Sequence, residues 1–182
     1  MIKFCTHCGA SVSFEIPAGD VLPRHVCQRC GHIHYENPRL VVGCVAIWED
    51  RILLCRRAIE PRRGFWTLPA GFMENGETTA EAASRETHEE AGARIIIDAP
   101  FAMVSIAHIN QVHFFYRGRL ATAEHSAGDE SLEVALLRPS EIPWPDIAFR
   151  SVTHCLERYL DDLAQGRFGF HETSLPPLAR PL

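Results

Sequence analysis

Glu86, Glu89 and Glu90 stand at i, i+3 and i+4 in GFMENGETTAEAASRETHEEAG, the stretch from Gly71 to Gly92, which holds six glutamates and no lysine. On a helix that spacing puts all three carboxylates on one face, where each like-charge pair costs about 0.2–0.5 kcal/mol. A solvated helix face gains from interleaved lysines, and this one has none. A hard divalent cation is the simplest compensation. Oxygen ligands on a rigid element, with open positions left for phosphate oxygens, describe a magnesium or manganese site.

A second constellation lies at the N-terminus. Cys5 and Cys8 in CTHCG and Cys27 and Cys30 in CQRCG are each two residues apart, and eighteen residues separate the pairs. Two matched knuckles, each followed by a glycine, have the spacing of a four-cysteine zinc site. A redox CxxC usually comes singly. Four thiolates complete a tetrahedral shell and leave no open position, so Zn2+ here is structural. His7, His25, His32 and His34 lie near enough in sequence to be substitute ligands and read instead as surplus surface histidines. Cys44, Cys55 and Cys155 sit in apolar surroundings and read as small core residues.

Both constellations need elements to hold them. Residues 1–34 are too few to bury a core without a metal staple, so a zinc ribbon is expected there. Residues 35–166 form a larger domain, and 167–182, with Pro176, Pro177 and Pro181, an irregular tail. LVVGCVAIW and RILLCRR around a Glu-Asp turn predict a strand pair, and FAMVSIAHI, QVHFFYRGRLA and EVALL predict three more strands. Thr78 followed by Glu81 predicts a capping box, and Gly92 a left-handed helix stop. Between them Ala80, Ala83, Ser84, Thr87 and Ala91 make a small-residue face suited to packing on a sheet. A second helix is expected from about Ala148 to Ala164. The fold class that follows is α/β, a mixed sheet sandwiched between helices.

Composition bounds the alternatives. The 182 residues are 46% hydrophobic and 23% charged, with a formal net charge of −5. That is globular rather than disordered, and the acidic balance argues against general nucleic-acid binding. No apolar run approaches the ~20 residues of a membrane span. MIKFCTHCGA lacks the basic start and apolar stretch of a signal peptide. A cytoplasmic location without disulfides is the expectation.

The acidic stretch resembles the box of the Nudix hydrolases, G-x5-E-x7-R-E-U-x-E-E-x-G-U with U bulky and apolar. Gly71, Glu77, Arg85, Glu86, Glu89, Glu90 and Gly92 fill its invariant positions, while Thr87 and Ala93 stand at the two apolar ones. The resemblance implies a Nudix α/β/α sandwich and hydrolysis of a nucleoside diphosphate linked to another group. It makes Glu86, Glu89, Glu90 and the carbonyl of Ala70 ligands of Mg2+ or Mn2+. Glu77 and Arg85 become an internal pair supporting the box. Glu90 and Glu89 are then catalytic through the metal. Glu130 in GDESLEVALL is expected to position or deprotonate the attacking water, with Glu133 as its rival.

The motifs outside the box narrow the subfamily. NADH pyrophosphatases also carry a four-cysteine ribbon, but the SQPWPFP-type segment that marks them is absent from PFAMVSIAHINQVHFFYRGRL. NPRLVVGCVAIWEDRILLCRRAIEPRRGFWTLPAGFMENGET, GDESLE and LERYLDDLAQGRFGFH look instead like the FAD and ADP-ribose pyrophosphatases of plant chloroplasts and their bacterial relatives. The implied reactions convert ADP-ribose to AMP and ribose 5-phosphate, or FAD to AMP and FMN.

Substrate contacts are expected from CRRAIEPRRGFW. Arg57, ending a strand, is the preferred phosphate contact, followed by Arg56, while Arg62 and Arg63 read equally as a solvated loop. Trp66 and Phe65 are candidates for stacking on adenine or isoalloxazine, although aromatics at such spacing more often make core or dimer contacts, and Tyr116 and Phe101 rank below them. NADH pyrophosphatase and removal of a nucleotide cap from RNA are the alternative enzyme readings. In another class, the ribbon, with Arg24 and Arg29, is a nucleic-acid or protein-binding module. The partners expected are a small nucleotide substrate and a second copy of the chain in a homodimer, with no membrane.

Overall fold

The computed structural model describes residues 2–178, which divide into two compact units, one ending at Asn37 and one beginning at Pro38. Pro181 of the expected tail lies outside the described residues. The smaller unit is a three-stranded antiparallel sheet in chain order, β1 (Val12–Glu15), β2 (Arg24–Cys27) and β3 (Ile33–His34). Two β-pairings and few apolar side chains cannot form an independent core, so the cysteine knuckles must brace it.

In the larger unit the chain runs β4 (Arg39–Trp48), β5 (Arg51–Arg57), β6 (Trp66–Thr67), β7 (Ala70–Phe72) and α1 (Thr79–Ala91). It continues through β8 (Ile95–Ile106), β9 (Gln111–Leu120), β10 (Ser131–Leu137), α2 (Arg150–Gln165) and β11 (His171–Ser174). The sheet order is β10-β5-β4-β9-β8-β11, with β6 added to β5 and β7 to β4. The β4–β9 and β8–β11 pairs are parallel and the others antiparallel, giving the mixed sheet expected.

Period-two alternation along the strands sends residues to two cores. Val42, Cys44 and Ala46 of β4 join Leu53, Cys55 and Tyr116 beneath α1 with its Ala82, Ala83 and Ala91. Val45 joins Ile52, Leu54, Phe101 and Phe115 beneath α2 with its Val152, Leu156 and Tyr159. A helix covers each face, so the architecture is the α/β/α sandwich. Cys44, Cys55 and Cys155 are buried free thiols within it.

Two expectations need correction. Strand β8 begins at Ile95, six residues before FAMVSIAHI. Asp98 and Pro100 are poor strand residues, but register shifts between Ile97 and Ala99 and between Pro100 and Ala102 absorb them as bulges. The segment beyond Gly166 is not irregular throughout, because His171–Ser174 pairs in parallel with Ala102–Ser105 and covers the edge of β8. Its strand character comes from that docking rather than from propensity. The His171 ring lies 5.2 Å from that of Phe101, and its Nε2 is 2.8 Å from Asp162 Oδ2.

Candidate active site

Helix α1 is held at both ends as its sequence predicts. The Glu81 N–H donates to Thr78 Oγ1 (3.2 Å) and the Thr78 N–H to Glu81 Oε2 (2.7 Å), while Gly92 closes the helix in the left-handed region. The face on the sheet is Ala82, Ala83, Thr87 and Ala91. Ala80 and Ser84, assigned to it from spacing, are only half-buried. Thr87, at a position where a bulky apolar residue is usual, is fully buried and returns its hydroxyl to the Ala83 carbonyl at 2.7 Å.

This seating buries Glu86 and Glu90 and leaves Glu89 exposed. Glu90 Oε2 accepts the Ala70 N–H at 3.1 Å. Glu86 packs on Gly71, where a Cβ would overlap its carboxylate and push that side chain out of its present position. Arg85 ties the cluster together. Its Nε and Nη2 hold Glu77 at 3.0 and 2.7 Å, its Nη1 reaches Glu86 (2.8 Å) and Glu89 (3.0 Å), and Nη2 also donates to the Phe72 carbonyl (3.2 Å). The guanidinium holds Glu77 down at about 2. Burial drives Glu90 up to about 8, partly offset by the Ala70 N–H and aggravated by Glu86 and Glu130. Burial raises Glu86 as well, against the pull of Arg85.

Once ionised, these two buried acids and the carboxylates around them outnumber Arg85 and nearby Arg57. This all-oxygen donor set fits a hard divalent cation. The carboxylates do not converge as a tight cluster. Arg85 holds one oxygen of Glu86 and one of Glu89, while Glu90 turns onto the strand. Among the described residues, the four cysteines are the only group of three or more candidate ligands whose donor atoms all lie within 4.8 Å.

Glu130 is brought to the site by the loop after β9. Ser126 and Gly128 donate backbone N–H groups to the Ala91 and Glu90 carbonyls at 2.9 and 3.1 Å, satisfying the C-terminal turn of α1. A Cβ on Gly128 would overlap the Glu89 carbonyl, so this contact needs glycine. The Glu130 carbonyl accepts the Ala58 N–H (2.7 Å), and its carboxylate raises both Glu86 and Glu90. Glu133 instead faces Arg56 at 3.6 Å, away from the cavity.

A single cavity of about 980 Å³ joins these groups to the rest of the site, at the top of the usual range of about 300–1,000 Å³ for ligand pockets. Ala70, Gly71, Glu86, Glu89, Glu90, Glu130 and Arg57 all line it. Arg57 is buried, donates Nε to the Pro61 carbonyl (2.9 Å) and lies 5.0 Å from the Phe149 ring. Arg62 also lines the cavity, 5.3 Å from the Phe65 ring.

The structure separates the other substrate candidates from the cavity. Arg56 points to the opposite side of β5, donating to the Gly64 carbonyl (2.9 Å) and pairing with Glu133. Trp66 packs on the α2-side core and bridges Ile147, a structural role in place of the stacking expected of it. Arg63 and Phe65 do not line the cavity. Phe101 and Tyr116 are core residues, the latter with its hydroxyl 2.6 Å from Thr79 Oγ1.

Sequence reasoning missed Asp129, Arg150, Gln111, His113 and Ser151, which also line the cavity. Only Asp129, beside Glu130, carried a local signal. The others come together through pairing of distant elements.

In the smaller unit, Cys5, Cys8, Cys27 and Cys30 form the one tight group noted above. The His7 N–H donates to Cys5 Sγ and the Cys30 N–H to Cys27 Sγ, both at 3.4 Å. The Cys30 N–H is the main cause of a Cys27 thiol held down at about 6. A set of four sulfurs with backbone donors suits Zn2+. None of the four nearby histidines joins the group, but His25 and His34 are buried rather than on the surface as expected. Arg24 pairs with Asp20 (2.9 Å), and Arg29 bonds the Cys8 carbonyl, so both ribbon arginines are engaged within the ribbon.

Comparison with known proteins agrees with this geometry. A family profile described as Nudix N-terminal, a zinc ribbon, matches residues 3–36, and one described as NUDIX domain matches residues 37–155. A crystal structure of a NUDIX hydrolase from Nitrosomonas europaea superposes with a TM-score of 0.91. It is 48% identical and spans 96% of this chain and 100% of its own. Among curated proteins, the NAD-capped RNA hydrolase NudC of Chromobacterium violaceum is 36% identical over 94 residues, 51% of this chain and 33% of its own length. The human 8-oxo-dGDP phosphatase NUDT18 is 30% identical over 156 residues, 82% of this chain and 44% of its own. The chain thus spans less than half the length of either curated relative.

Proposed function

The chain belongs to the Nudix hydrolase family, and from that premise we propose that it hydrolyses the pyrophosphate bond of ADP-ribose or FAD, releasing AMP. The observation that carries this reading is the shape and lining of the cavity. Carboxylates that would hold a divalent cation, with Arg57 beside them, make a diphosphate site, and the same cavity continues over Ile106, Phe115, Phe149 and Leu175, apolar walls for the flanking groups. The resemblance of NPRLVVGCVAIWEDRILLCRRAIEPRRGFWTLPAGFMENGET to the FAD and ADP-ribose pyrophosphatases selects the substrate within that class.

In this reading Glu86, Glu89, Glu90 and the Ala70 carbonyl would hold Mg2+ or Mn2+. Such an ion, when bound, neutralises charge on the diphosphate and on the leaving oxygen. Arg57, steadied by the Pro61 carbonyl and the Phe149 ring, binds a phosphate oxygen and orients the scissile bond. Arg85 is committed to Glu77, Glu86 and Glu89, so it shapes the site and does not grip substrate. Glu130, carried in by the loop on α1, orients the attacking water and takes its proton. The ribbon holds Zn2+ as a structural element, and the working protein is a homodimer, which light scattering on the eluting protein tests.

The rival reading is hydrolysis of NAD-capped RNA, favoured by the identity to the C. violaceum enzyme. Product analysis separates them. ADP-ribose, FAD, NADH, NAD-capped RNA and 8-oxo-dGDP are compared with magnesium and with manganese, using Glu90→Gln as the blank. AMP released from ADP-ribose or FAD well above NADH supports the proposal. Capped RNA or 8-oxo-dGDP as the best substrate overturns it, as does wild-type turnover in Glu90→Gln.

A further inference from the structure

Gln111, His113 and Ser151 line the cavity yet have no part in the hydrolytic chemistry above. Gln111 and His113 are i and i+2 on β9 and share a face of the sheet. Ser151 comes from the first turn of α2. His113 Nδ1 lies 2.9 Å from Ser151 Oγ, and its Nε2 lies 3.0 Å from Gln111 Oε1. Ser151 is 1% exposed and His113 8%.

Burial makes this a proton-ordered chain. A buried hydroxyl must donate, and the acceptor beside Ser151 is Nδ1. The ring proton then sits on Nε2 and donates to Gln111 Oε1, while burial keeps the imidazole neutral. Reversal of the amide would set its N–H against the Nε2–H, so the half-buried Gln111 is held in one orientation. It offers the cavity an N–H donor beside an oxygen with a spare lone pair.

The position suits a base-reading role. Val41 of β4 aligns with Phe72 of β7 on one side and His113 of β9 on the other. The chain of three therefore lies two strand spacings, about 10 Å, from the strand that carries Gly71. Ile106, Ile109, Leu175 and Phe149 supply apolar walls in the same cavity.

We propose that Gln111, held by the positioning residues His113 and Ser151, reads the base of the nucleotide and selects 6-aminopurines over 6-oxopurines. Its N–H meets a ring nitrogen, and its Oε1 accepts from the exocyclic amino group. On the Watson–Crick edge, where that ring nitrogen is N1, guanine presents the O6 acceptor in place of the amino group and an N1–H donor in place of adenine's bare N1. Matching it requires the amide reversal that His113 blocks. The inference rests on the nucleotide reading of this cavity, and it adds the base preference and the residues that set it.

Equilibrium binding of AMP and of GMP tests it without any need for turnover. Wild-type protein should bind AMP at least about tenfold more tightly. Gln111→Leu should bring the two affinities together, and His113→Leu should do so by freeing the amide to turn. If either leucine variant fails to fold, Gln111→Asn, an amide one methylene short, should lose the same preference. No AMP preference in the wild type, or an unchanged AMP-to-GMP ratio in a folded Gln111 variant, overturns the inference. ADP-ribose and FAD turnover is read separately. Turnover with an unmoved ratio defeats the base-reading role alone, whereas a lost ratio without turnover defeats the substrate assignment alone.

Discussion

Acidification from pH 7.5 to pH 5 should cost the larger unit about 2 kcal/mol of stability through His113 alone. Burial lowers this imidazole from 6.5 to about 4 in the folded protein. Between those values the unfolded chain binds more protons than the folded one, so stability rises with pH and is lost as pH falls. The whole difference, about 2.5 pH units or 3.4 kcal/mol, is spent only below pH ~4, and about 2 kcal/mol of it is gone at pH 5. That corresponds to a melting-temperature drop of about 4–8 °C. Urea unfolding followed by tryptophan fluorescence reads this unit directly, since Trp48, Trp66 and Trp144 all lie in it. The control is His113→Gln, which cannot titrate. His154 is also lowered by burial, but it and the carboxylates contribute to both proteins and cancel in the comparison. Wild type and variant losing equal stability between the two pH values would refute the argument, because the ring would then have to be open to solvent.

Arg57→Ala should raise the KM for ADP-ribose about tenfold or more, the loss of one charge-assisted contact, while Arg56→Ala leaves it within twofold. An equal effect of the two would mean that the side of β5 facing the cavity has been misassigned. Arg85→Lys should weaken Mn2+ binding by about 10- to 100-fold, since one ammonium cannot span Glu77, Glu86 and Glu89. Manganese titration by electron paramagnetic resonance measures it, and unchanged affinity removes Arg85 from metal support. A thiol-reactive agent should release about one zinc per chain, with loss of the ribbon's sheet signal, if Cys5, Cys8, Cys27 and Cys30 share one ion. Substantially less zinc, or release that leaves the ribbon intact, would show that the metal does not hold it.

Local spacing determined the parts of this protein that are built from neighbours in sequence. The Thr78–Glu81 box and Gly92 bound the acidic helix, and i, i+3, i+4 spacing put Glu86, Glu89 and Glu90 in one region because 3.6 residues per turn allow nothing else. Each knuckle likewise brings two cysteines together through short-range spacing, while the pairing of β1 with β2 joins the two knuckles into one group of four. Tertiary structure alone decided which neighbour points where. Arg56 and Arg57 are adjacent and chemically identical, and only the placing of β5 in the sheet, with β10 beside it and a different helix over each face, turns Arg57 to the cavity and Arg56 to Glu133. Trp66 was taken into the core by the pairing of its short strand. The polar Thr173 and Ser174 became strand because the free edge of β8 was there to bond them. His113 and Ser151, 38 residues apart, meet because one stands on the sheet and the other opens the helix packed across it. Such meetings follow from which surfaces must be buried together, and no local pattern records them.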